Sequence, residues 1–191
     1  MRRGLNDDTD ARLQPGNRKR GRLEMYAIRN WSVRNARALE WFYSGFSRSL
    51  VFFDPLFRLV GYERLEKPVA AVEATIKGVL FDCQMCGHCI LSKTGMSCPM
   101  NCPKSLRNGP CGGVRSNGMC EVKPEMRCIW VAAFEGAARM SNPSLIDVQN
   151  PPLDRSSQGQ SSWLRETRDT VAAREFIQRS NGLRPANEGR S

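Results

Sequence analysis

Residues Cys83–Cys128 read CQMCGHCILSKTGMSCPMNCPKSLRNGPCGGVRSNGMCEVKPEMRC, and they hold all eight cysteines of a 191-residue chain. The thiols stand at Cys83, Cys86, Cys89, Cys98, Cys102, Cys111, Cys120 and Cys128. Eight is twice the four thiolates that a tetrahedral zinc or a cubane iron–sulfur cluster takes. Glycines at 87, 95, 109, 112, 113 and 118 supply tight turns and free amides, too many for a regular helix or sheet. The expected fold class is a small irregular cysteine-rich metal-binding domain with flanking α-helices, mainly helix and loop with little sheet.

The spacing discriminates among metals. Cys83-x2-Cys86-x2-Cys89 is a triple, followed by Cys98-Pro99 and Cys102-Pro103. Three thiolates two apart can turn around one face of a cubane, with a later Cys-Pro completing the set. A zinc site needs only pairs, so the triple favours one or two [4Fe-4S] clusters. Cys111, Cys120 and Cys128, with Cys98 or Cys102 as a fourth, suit either a second cluster or zinc. His88, the single histidine, sits inside the triple, where a ligand role would crowd Cys86 and Cys89. Hydrogen bonding to a sulfur, or solvation, is its expected state. A disulfide knot is the rival for all eight thiols, and the chain shows no signal-peptide apolar run to support one.

Outward from the knot, the chain divides by composition. Residues 1–24 are polar and basic, and a disordered arm is expected there. Residues 25–65 form an aromatic-rich helical segment, with eight of the chain's aromatics between Trp41 and Tyr62. That stretch packs into a small core, docks a partner or meets a membrane face. Residues 66–140 are the cysteine-rich metal-binding domain. It opens with a helix over 66–82 whose apolar stripe is Val69, Val72, Ile76, Val79 and Leu80, with Pro68 in its first turn. A second helix follows Cys128. Residues 141–162 read as a polar linker, 163–180 as an amphipathic tail helix opening at Trp163, and 181–191 as a frayed end.

The formal charge is +10, with the excess spread along the chain, so it favours polyanionic partners only weakly. No apolar stretch is long enough to span a bilayer, and a cytoplasmic location is expected. There is no Ser/His/Asp set, no phosphate loop and no coherent carboxylate pair, so the chain is not expected to be an enzyme alone.

The cysteine run through Cys111-Gly112-Gly113, then Gly118-Met119-Cys120-Glu121-Val122 and Cys128-Ile129-Trp130, closely resembles the methylenetetrahydrofolate reductase C-terminal domain family. Pro151-Pro152-Leu153-Asp154 and Gly159-Gln160-Ser161-Ser162-Trp163 resemble that family's trailing motif. The resemblance implies a cysteine-rich partner, fused to or standing beside a reductase barrel that binds flavin and folate. It also implies that all eight cysteines bind metal, leaving open which four share a site. The chain is too short to hold the knot and a barrel of about 250 residues. The leading expectation is therefore an iron–sulfur electron-transfer subunit of a methylenetetrahydrofolate reductase-type flavoprotein in one-carbon metabolism, with flavin in the partner only. An outside electron donor or acceptor protein would complete the relay. The rivals are a zinc-stabilised docking module for that barrel and a zinc-ribbon-like nucleic-acid binder. The latter lacks paired C-x2-C motifs and stacking aromatics. Trp163, beside Arg165 and Arg168, is expected either to dock the tail on the barrel subunit or to fold back on the aromatic stretch.

Overall fold

The computed structural model describes residues 15–182. Six helices form: α1 Pro15–Arg34, α2 Ala36–Phe52, α3 Asp54–Val60, α4 Tyr62–Phe81, α5 Ile129–Ala137 and α6 Ser162–Gly182. Among the described residues there are no β-strands, only isolated bridges pairing Val114 with Cys120 and Met119 with Arg127. Helix α1 starts at Pro15, inside the stretch assigned to a disordered arm, since proline is compatible with a first helical turn. Residues 1–14 of that arm and 183–191 of the frayed end lie outside the described residues.

The aromatic stretch forms α2 and the short α3. Pro55 stands in the first turn of α3, and Gly61, at φ +93°, closes it. The next helix nucleates at once, because the Arg64 and Leu65 amides both return to the Gly61 carbonyl. Helix α4 thus begins four residues before the expected start at Glu66, which places Pro68 inside the helix rather than in its first turn.

The face that α4 buries is the main departure from the sequence pattern. Val72, Ile76 and Val79 are 54%, 46% and 55% exposed, whereas Glu73 and Lys77 are 1% and 3% exposed. The apolar stripe points largely outward and an ion pair lies inward. The reason lies in α6: the buried pair receives the start of that helix, described below, and this turns the polar side of α4 toward the protein.

Small residues let the helices approach. Ser32 and Ala36 are fully buried where α1 passes into α2, and Ser32 Oγ donates to the Leu80 carbonyl of α4 at 2.8 Å. Ala36, Phe81, Leu91, Met96, Cys98 and Met140 form one apolar cluster there. The 89–96 loop seats on α5 through two glycines. A Cβ on Gly136 would stand 2.1 Å from the Gly95 carbonyl oxygen, so only bare backbone fits on either side.

Residues 141–162, read as a linker, are tied down along the knot. Asn150 donates its N–H to Asn108 Oδ1 at 2.9 Å, Asn108 Nδ2 donates to the Asn150 carbonyl at 2.9 Å, and the Gly159 amide bonds the Met85 carbonyl at 2.8 Å. Gly87, at φ +73°, allows the Ser157 backbone to approach closely. Among the described residues no helix is long and apolar enough to cross a membrane.

Candidate metal centre

Helix α4 ends at Asp82, whose left-handed φ of 53° turns the chain sharply into Cys83. The Cys83 amide returns to the Lys77 carbonyl at 3.3 Å, so the first thiol is fixed to the helix end. Cys98 stands at the start of the 3-10 turn Pro99–Asn101. Asn101 Nδ2 pins that turn to the Phe81 carbonyl at 2.9 Å.

This arrangement divides the cysteines. Cys83, Cys86, Cys89 and Cys98 line one small cavity, joined there by Lys77, His88 and Arg107. Cys102 and Cys120 lie in a neighbouring apolar cluster with Met126 and Ile129. Cys111 and Cys128 pack in a third cluster with Trp130, and Leu106 touches both of these clusters. The second set is shaped by a tight hairpin. The Arg115 amide bonds the Met119 carbonyl at 2.9 Å, Cys120 bonds Met126 at 2.9 Å and Cys128 bonds Gly118 at 3.0 Å. The first four thiols in chain order therefore share one cavity, while the later four are divided between two clusters, Cys102 with Cys120 and Cys111 with Cys128. All eight thiols are free of disulfides. As they stand, no group of three or more Cys, His, Asp or Glu side chains among the described residues is arranged to hold a metal ion.

Several features suit anionic sulfur. The amide two residues on donates to Sγ in two places, from Met85 to Cys83 and from Gly113 to Cys111, both at 3.4 Å. The Met100 amide likewise favours the thiolate of Cys98. Burial holds protons on two of these thiols. It pushes the Cys83 thiol up to about 11, and burial together with the neighbouring Cys83 pushes Cys98 up to about 12. A metal ion would displace those protons on binding.

Two cations border the first group. Burial acts to lower the Lys77 pKa, but Cys89 and Glu73 outweigh it and the ammonium is held above its ordinary value. Its Nζ donates to Glu73 Oε1 at 2.7 Å and to Ser162 Oγ at 2.8 Å. Burial likewise opposes ionisation of Glu73, yet Lys77 and the two serines bring its pKa below the usual carboxylate value. Arg107 spends its Nε on the Pro151 carbonyl at 3.0 Å and its Nη2 on the His88 carbonyl at 3.1 Å. Its Nη1 is buried and has no partner.

The ring of His88 is turned to Arg165 rather than hydrogen-bonded to a sulfur among the described residues. Its Nε2 lies 2.9 Å from Arg165 Nη1, and burial, Arg165 and Arg107 all lower its pKa, which favours neutral imidazole. Trp163 does not reach away from the knot. It is buried, edge-on to Phe46 with ring centroids 4.8 Å apart, and the Lys77 ammonium lies 5.1 Å from its ring centre. The expectation that it anchors the tail on another subunit is corrected by this packing, because its apolar surface is already covered. Ser161 caps α6 by accepting from the Leu164 amide at 3.3 Å, and its hydroxyl donates to Glu73 Oε2 at 2.6 Å. Glu66 accepts from the Ser161 amide. Glu73 and Lys77 were not among the sequence candidates, whereas Arg107 is one of the basic residues within the cysteine block that suit the charge of bound thiolates. The only signal for the first two was a Glu and a Lys four apart on a helix, a common solvent-facing pattern.

Residues 62–156 match the family described as methylene-tetrahydrofolate reductase C terminal. No curated protein and no solved structure matches the chain.

Proposed function

Residues 62–156 belong to the methylene-tetrahydrofolate reductase C-terminal family, and from that premise we propose that the protein is the iron–sulfur electron-transfer partner of a methylenetetrahydrofolate reductase-type flavoprotein. The observation that carries the reading is that the Cys83–Cys86–Cys89 triple and Cys98 line one cavity with a buried, unpartnered Arg107 N–H. Four thiols are the number a cubane cluster takes, and the orphan guanidinium N–H beside them would offset its negative charge.

In this reading Cys83, Cys86, Cys89 and Cys98 hold a [4Fe-4S] cluster. Cys102, Cys111, Cys120 and Cys128 hold a second metal, either another cluster or zinc. A bound cluster supplies one-electron transfer between an outside carrier and the flavin of the reductase subunit. The chain's own part is to orient the thiolates through the α4 terminus and the 99–101 turn. It also donates the Met85 amide to the Cys83 sulfur, holds the Arg107 guanidinium beside the thiols, and excludes water with Phe81, Leu91 and Met96. The outer faces of α2 and α3 expose Trp41, Phe42, Phe52 and Leu59, and these are the proposed contact surface for the reductase subunit.

Metal and sulfide analysis of anaerobically purified protein tests the cofactor. Iron with acid-labile sulfide is expected, and Cys98→Ser should lose the iron of the first group while the second group keeps its metal. Stoichiometric zinc without sulfide would remove the electron-transfer role and leave a zinc-braced docking module.

A further inference from the structure

The buried ion pair of α4 stands beside the first thiol group. The side chains of Lys77 and Glu73 are 4% and 2% exposed. Both line the narrow cavity, of about 20 Å³, that Cys83, Cys86, Cys89 and Cys98 share. Lys77 and Cys89 also meet a second time, in the lining of an apolar cavity that opens between α2, α4 and α6. The backbone ties the lysine to the thiols as well, since the Cys83 amide returns to the Lys77 carbonyl. The ammonium is fixed in place, donating to Glu73 Oε1 at 2.7 Å and to Ser162 Oγ at 2.8 Å.

An ion pair exerts little net field unless one of its charges is balanced elsewhere. Here the carboxylate is. Glu73 accepts from the Ser161 and Ser162 hydroxyls and from the Trp163 amide, at the first turn of the 21-residue α6. A helix N-terminus carries about half a positive charge, so Glu73, Lys77 and the start of α6 together leave about half a positive charge next to the thiols. Arg107, the other cation in the cavity lining, is partly exposed, and water and salt screen part of its field. The buried lysine has no such screening. The coupling is visible in both directions. Against the lowering by burial, Cys89 is foremost among the groups that hold the Lys77 ammonium above its ordinary value. Burial raises Cys83, and Lys77 acts against that rise.

We propose that Lys77 is a positioning residue for the first metal site, a fixed buried positive charge that stabilises the more negative state of whatever the four thiolates hold. A four-thiolate site is net anionic with zinc and with a cluster alike. One-electron reduction by the outside carrier adds one further negative charge there, with no bond made or broken. A positive charge beside the site therefore raises the midpoint potential of a cluster, and it tightens the hold on zinc. Glu73 acts in the opposite sense, weakened by the donors of α6. The redox form of the proposal rests on the electron-transfer reading, whereas the charge balance does not.

The test uses the full-length protein purified anaerobically and titrated with a redox dye series, read by absorption and electron paramagnetic resonance. In Lys77→Met one midpoint potential should fall. At fixed potential the ratio of oxidised to reduced cluster should rise about tenfold, about 59 mV for a one-electron couple. Glu73→Gln removes the opposing charge and should shift the same midpoint upward by a similar factor. Lys67→Met makes the same charge change at an exposed position of α4, about 15 Å along the helix from Lys77, and should leave the potential unchanged. Damage to packing would move the two buried variants in one direction, whereas charge moves them in opposite ones. Where Lys77→Met fails to fold, because Glu73 is left without its cation, Glu73→Gln decides. Protein without acid-labile sulfide would end the electron-transfer reading but not this one. The same variants are then read with added zinc against a competing chelator, and one binding step should weaken about tenfold in Lys77→Met and tighten in Glu73→Gln. No shift in Glu73→Gln, shifts of both buried variants in the same direction, or a Lys67→Met shift as large as that of Lys77→Met would overturn the proposal.

Discussion

At the level of single residues, Glu73 and Lys77 form a buried ion pair that the protein cannot easily do without. Both oxygens of the carboxylate are occupied, by Lys77 and Ser162 on one and by Ser161 and the Trp163 amide on the other. Removing one member leaves the other charge buried and unpaired, which typically costs about 3–5 kcal/mol. Glu73→Ala should therefore lower unfolding stability by that amount in urea titrations, while the double change Glu73→Leu with Lys77→Met should cost far less. The pH dependence follows from the directions of the two shifts. Glu73 is held below its ordinary value, so its contribution is full above the usual glutamate range and is lost as pH falls through the lowered value. Lys77 is held above its ordinary value, so its contribution is present below the usual lysine range and is lost as pH rises through the raised value. A plot of melting temperature against pH should show a plateau between these limits, and Glu73→Gln should remove the acid limb attributable to this pair. Trp163 belongs with them. Trp163→Ala should cost about 3–5 kcal/mol of stability, as large-to-small changes in cores do, a loss that calorimetry would detect with no partner present.

At the level of elements, the legible features were those in which composition alone sets the outcome. The cysteine block announced a turn-rich knot, and the apolar run after Cys128 announced α5, because Ile129, Trp130, Ala132 and Ala133 are all buried. What the pattern could not disclose was the orientation of α4. Its valines and isoleucine outnumber its charges on one side, yet the helix turns that side outward, because the Ser161–Ser162–Trp163 segment needs a carboxylate to receive it. That demand comes from residues nearly a hundred positions away and leaves no trace in local periodicity. The place of Cys98 was hidden for the same reason: spacing allowed Cys98 or Cys102 in either set, and the fold puts Cys98 in the cavity of the triple and Cys102 beside Cys120. The docking of the 89–96 loop on α5 depends on Gly95 and Gly136, where the two backbones touch. Gly136→Ala should force them apart and cost about 1–3 kcal/mol, the range for overpacking, and raise protease sensitivity in the loop that carries Cys89.

At the level of the whole molecule, helices gathered from both ends of the chain enclose a knot that holds few apolar side chains of its own. The outer aromatics of α2 and α3 take no part in this. Trp41→Ala should change stability by less than about 0.5 kcal/mol, as exposed substitutions do, yet weaken co-purification with a reductase subunit. Loss of pairing without loss of stability distinguishes Trp41 from Trp163. The closure by α6 also bears on the order in which the protein is made. At roughly 5–20 residues per second, a ribosome that has just added Cys98 needs several more seconds to reach Ser161 and Trp163. During that interval Glu73 and Lys77 have nothing to receive, and the first four thiols stand ahead of the segment that will shut them in. Synthesis itself thus leaves an early period in which these thiols stand open to solution, and the making of α6 brings that period to an end.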